Sequence, residues 1–183
     1  MDYTATGPRA YIATRSNASA HPNRESVGVA VDVVLVIEEL NGSPSITFIA
    51  RQSFHLPEGN IDVAERIGVL VGMDLILDSR DEIQDQIANA GARLQPPIRL
   101  HFDRKCLEQT LPDYLAFDSL RTSLVGFLRE NLVDQLDQDV VDQLDQDRRV
   151  VLRWEQCTSE VMRIICREAK KATQKTSGGE RHW

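Results

Sequence analysis

Residues 27–54 read VGVAVDVVLVIEELNGSPSITFIARQSF, two β-branched apolar runs separated by Asn41-Gly42. Asn-Gly between such runs predicts a hairpin, because a primed two-residue turn needs positive φ at both central positions. The first run is almost wholly Val, Ala, Ile and Leu, which predicts a strand covered on both faces. The second alternates, with Ile46, Phe48 and Ala50 expected on one face and Thr47, Ile49 and Arg51 on the other. A hairpin is marginal by itself in water, so other elements must pack on it.

The pattern supplies those elements. Residues 10–16 read as a first strand and 17–25 as a turn-rich loop. Residues 61–77 predict a helix capped by Asn60, apolar nearly all round and hence buried against a sheet. Gly68 and Gly72 lie on one stripe of it, which predicts a close backbone approach to the sheet. Glu65 sits one turn before Gly68 on the same side. Two roles fit it: a carboxylate pointing at the sheet, or one turned outward to complement the helix dipole. Residues 81–90 predict a short helix closed by Gly91, and 98–102 a strand. Asp103 follows that strand directly. Such positions bind ligands in open α/β sheets, and they also cap helices, here one over 104–110.

Residues 112–132 carry helical spacing. An exact repeat follows, VDQLDQD at 133–139 and again at 141–147. Two copies do not make a solenoid, and the repeat reads as a solvated helix extension or acidic loop. A last strand over 149–156 and a last helix over 160–173 complete the pattern. Arg163, Arg167, Lys170 and Lys171 form a basic face on that helix. Residues 10–173 are therefore expected to form one domain, with flexible tails at 1–9 and 174–183.

Composition narrows the function classes. The chain has 183 residues, 42% hydrophobic and 27% charged, which are globular values. A net charge of -7 argues against a strongly basic nucleic-acid clamp and leaves room for a local basic face. The three cysteines, Cys106, Cys157 and Cys166, lack ligand spacing and are odd in number. That points to a reduced, intracellular setting. No signal peptide and no apolar run of membrane-spanning length is expected.

The order of predicted elements is strand, strand, strand, helix, strand, helices, strand, helix. With Asn17-Ala18-Ser19 after the first strand, a His-Pro loop, Gly28, Asn60 to Glu65, His101-Phe102-Asp103-Arg104 and Ile165 to Lys170, this resembles the ribonuclease H-like family. The resemblance implies an α/β fold with a five-stranded mixed sheet, three strands antiparallel and two parallel, flanked by helices. It implies a catalytic cluster at Asn17, Glu65, Asp103 and Cys166, with Glu65 and Asp103 as metal ligands for Mg²⁺ or Mn²⁺. In the family, four carboxylates hold two ions roughly 4 Å apart that clamp the attacking and leaving oxygens of a phosphodiester. Here Asn17 keeps an oxygen and loses a charge, and Cys166 is a soft ligand. Glu168 and Glu160 are alternative donors. The family's loop histidine has no counterpart in residues 155–159.

Three functions follow. The first is a ribonuclease H-like module that binds an RNA/DNA hybrid, RNA or a protein partner with little or no catalysis, using Arg163, Arg167, Lys170 and Lys171. The second is an active metal-dependent hybrid endonuclease with a divergent site. The third is a protein-interaction module unrelated to nucleic acid.

Overall fold

The computed structural model describes residues 7–102, 115–132, 152–156 and 160–174. The elements in chain order are β1 (Arg9–Ala20), β2 (Val27–Glu38), β3 (Ser45–Leu56), α1 (Ile61–Asp78), α2 (Arg80–Ala90), β4 (Arg93–Leu94), β5 (Ile98–Phe102), α3 (Leu115–Leu132), β6 (Leu152–Gln156) and α4 (Arg163–Ala172). The expected helix over 104–110, the acidic repeat, residues 149–151, the loop at 157–159 and Asp103 lie outside the described residues.

The strands form one sheet in the order β3-β2-β1-β5-β6, with the two-residue β4 pairing beside β1. β1, β2 and β3 are antiparallel, whereas β5 runs parallel to β1 and β6 parallel to β5. This mixed sheet flanked by helices is the ribonuclease H-like arrangement that the resemblance implies. β2 is buried along all but its last residue, as its unbroken apolar run predicts, because α1 lies on one of its faces and α4 on the other.

Both helices come close to the sheet through glycine. A Cβ at Gly68 would lie 3.1 Å from Val29 Cγ1 and 3.3 Å from Ser16 Cβ, and one at Gly72 3.1 Å from Thr14 Cβ. On the opposite face a Cβ at Gly28 of β2 would fall on the backbone of α4, at Ala169 O and Thr173 N. α1 starts where Asn60 Oδ1 accepts the Val63 N–H at 2.8 Å. α2 ends at Gly91, whose φ of 59° closes the helix.

Three expectations are corrected. Neither Asn41 nor Gly42 has positive φ. The hairpin forms, but its connection runs six residues, from Glu39 to Pro44, and is not a two-residue primed turn. β1 does not stop at Ser16 but continues through Ala20, paired with β2 along its whole length, so Asn17 is a strand residue. The alternation assigned to β3 breaks at a bulge: Ala50 pairs with Val33 and Phe48 with Val34, leaving Ile49 extra. Phe48 and Arg51 therefore share a face.

Candidate functional site

The end of the sheet at Asn17 is built from three elements. Asn17 pairs with Ala30, and Ala30 packs with Ile165 and Ala169 of α4. Cross-strand partners share a face, so Asn17 lies on the α4 side, 4% exposed. Glu65 lies on α1, on the other side of the sheet, and is 2% exposed. Of the two roles open to it, the structure takes the inward one. Cys166 is half-buried on α4. Ser16, the neighbour of Asn17 on the α1 side, has a buried Oγ with no hydrogen-bond partner among the described residues. Arg163, Arg167, Lys170 and Lys171 are all exposed on α4, with Lys171 Nζ 3.0 Å from Glu168 Oε1.

The described donors are thus split across the sheet, an amide (Asn17) and a thiol (Cys166) on the α4 side and a carboxylate (Glu65) on the α1 side. They do not fit two hydrated Mg²⁺ ions, which take hard oxygen ligands in octahedral geometry and keep several waters. A thiol is soft, and the near-complete enclosure of Asn17 and Glu65 leaves little room for metal-bound water.

A second polar constellation crosses the α4 side of the sheet, and no single motif announces it. One registered row runs Arg51, Asp32, Arg15, His101, Glu155, one residue from each of β3, β2, β1, β5 and β6. Arg15 grips Asp32 with two bonds, Nε to Oδ1 at 2.9 Å and Nη2 to Oδ2 at 2.7 Å. Arg51 Nη2 reaches Asp32 Oδ2 at 3.3 Å. The bulge at Ile49 lets Phe48 join this group, its ring centroid 5.3 Å from Arg15 Cζ and 5.0 Å from Arg51 Cζ.

At the other end of the row His101 Nε2 lies 3.0 Å from Glu155 Oε2. Burial pushes the His101 pKa below its ordinary value of 6.5, against the upward pull of Glu155; Arg15 and Arg99 add to the lowering. Arg99 and Arg153 also approach Glu155 Oε1, at 3.9 and 3.3 Å. The sequence does hold one signal for this row. Arg15 and Asp32 are lone charges inside runs that otherwise read as buried strand, and a buried charge requires a partner.

No protein-family model matches this sequence, and no curated protein matches it. Solved structures do resemble it. One is LC11-RNase H1 in complex with an RNA/DNA hybrid, at 12% identity and a TM-score of 0.46, covering 88% of this chain and 96% of that one. The N-terminal RNase H domain of a Mycobacterium tuberculosis protein matches at 14% identity and 0.47, covering 90% and 94%. The RNase H1 of the archaeon Halobacterium salinarum matches at 12% and 0.42, covering 88% and 96%. The ribonuclease H-like character of the fold itself is carried by the element order and strand pairing described above.

Proposed function

We propose that residues 10–173 form a single ribonuclease H-like domain that binds nucleic acid, an RNA/DNA hybrid or RNA, with little or no phosphodiester cleavage, in an intracellular setting. The observation that carries this reading is the donor set. Where the resemblance asks for carboxylates in the first strand and the last helix, an amide (Asn17) and a thiol (Cys166) stand instead. Glu65 and Asp103 are the two carboxylates left at family positions, and they are the residues that would hold Mg²⁺ or Mn²⁺ if a reduced site still took one. Binding falls to the exposed cations of α4, Arg163, Arg167, Lys170 and Lys171. Cationic contacts to phosphate release counterions and make affinity fall with salt.

The test is a labelled RNA–DNA hybrid, followed for cleavage with Mg²⁺ and then Mn²⁺ and for binding by anisotropy at low salt. Expected are salt-sensitive binding, weakened in Arg163→Ala/Arg167→Ala, and no metal-dependent cleavage. Cleavage that disappears in Glu65→Gln and Asp103→Asn would show an active endonuclease and overturn the weak-catalysis half of the reading. Absence of binding to hybrid, duplex and single strand alike would overturn the nucleic-acid half and leave a protein partner.

A further inference from the structure

The sheet face that carries α4 extends beyond it. Among the described elements α4 alone packs on this face, over β2, β1 and β3. Next to the row of Arg51, Asp32, Arg15, His101 and Glu155 runs a second registered row: Phe48, Val34, Ala13, Arg99, Arg153, from β3 to β6. The two rows together hold four arginines against two carboxylates, within a chain of net charge -7. Their middle is buried, at Arg15, Asp32, Ala13 and Val34. Their flanks reach solvent: Phe48 is 49% exposed, and the side chains of Arg99 and Arg153 are 31% and 64% exposed. Three guanidinium groups lie over rings, Arg15 and Arg51 over Phe48 at 5.3 and 5.0 Å and Arg99 over Tyr11 at 3.6 Å, while the Phe48 side chain still reaches solvent. A stacked guanidinium is held in place and keeps its in-plane N–H donors.

We infer that this open part of the sheet binds single-stranded nucleic acid, with phosphates on Arg51, Arg99 and Arg153 and an unpaired base against Phe48. The inference rests on the nucleic-acid reading above and assigns it a second surface and a strand preference. The rows span four interstrand steps, roughly 19 Å, which suits a chain laid across the strands better than an isolated anion. Phosphates complement the excess of arginine. The exposed ring supplies a stacking surface that any unpaired base can use and a paired base cannot. An acidic peptide would satisfy the arginines and leave the exposed part of the ring unused.

The experiment uses the full chain with a labelled oligothymidylate and, separately, a labelled RNA–DNA hybrid, both titrated over a salt series. Arg99→Ala/Arg153→Ala is expected to weaken oligothymidylate binding. Loss of two phosphate contacts should make the slope of log affinity against log salt shallower by about 1.4. Phe48→Ala should weaken it about tenfold with the slope retained. Arg153→Glu, at the most exposed of these positions, serves if the double variant does not fold. If hybrid and oligothymidylate both bind and neither responds to these variants, this inference fails and the nucleic-acid reading stands. If neither binds at low salt, both fail. If polyglutamate competes as well as oligothymidylate and Phe48→Ala has no effect, the surface takes an acidic protein segment and the inference is overturned.

Discussion

The two faces of this sheet are stabilised by different physics. Under α1 the contact is close and mostly apolar, with Glu65 a buried carboxylate at its start. Ile12, Val29, Val31 and Val33 are buried there, and Gly68 and Gly72 let the helix backbone approach. Under and beside α4 the sheet carries a charged row in which Asp32 is wholly inaccessible. Burying apolar surface stabilises a fold roughly in proportion to area. Burying an ion pair gains little over a well-packed apolar pair, because desolvation offsets the attraction. The α1 face therefore explains why the domain is stable, and the α4 face has to be explained by something besides stability.

The strongest way to break that contrast is to remove one charge. Asp32→Ala leaves the buried Arg15 guanidinium without its carboxylate, and a loss of about 3–5 kcal/mol is expected in chemical denaturation. Replacing both partners sharpens the point: Arg15→Met/Asp32→Leu should recover most of that stability. If the double variant is as unstable as the single one, the row is structural and the contrast is wrong. Gly28→Ala tests the other contact on the α4 side. Its Cβ would meet helix backbone, which cannot swing away, and a loss of about 1–3 kcal/mol is expected. On the apolar side Asn60→Ala removes the cap of α1 and should lower stability by about 1 kcal/mol.

Acid should act on the ionic face with the smallest effect. The pKa of His101 lies below its unfolded value of 6.5, so below that pH the unfolded chain takes up a proton that the folded chain resists. Stability is then fully present above about pH 6.5 and falls as the pH drops toward the folded value. His101→Gln should flatten this part of a stability–pH curve. An unchanged curve would remove His101 from the row's energetics.

Much of the fold was legible because its signals are local. Asn60 and the apolar pattern placed α1 to within one residue of its observed end at Asp78, and Gly91 marked the end of α2. The bulge at Ile49 was not legible, because period-two alternation assumes that no residue is extra. The extension of β1 through Asn17 was hidden by Asn, Ser and the nearby Pro, whose turn preferences lost to pairing with β2. Apart from the lone charges Arg15 and Asp32, the row of Arg51, Asp32, Arg15, His101 and Glu155 was out of reach for a different reason. Its members come from five strands up to 140 positions apart (15 to 155), and only the pairing register makes them neighbours. At the candidate site, the stripe shared with Gly68 left the direction of Glu65 open, and only the packing of α1 on Val29 and Ser16 turns it inward.

The buried carboxylate of β2 has one more consequence. Between Val27 and Ile37 that strand is Val, Ala, Gly, Leu and Ile apart from Asp32, so its apolar side chains are nearly interchangeable and would tolerate several alignments with β1. A slip of one position would turn the charge into the mostly apolar layer beneath α1. A slip of two would keep the face but part the carboxylate from both guanidinium groups. Asp32 thus serves as an indexing mark, by which a nearly uniform strand finds a single alignment among its neighbours as the chain folds.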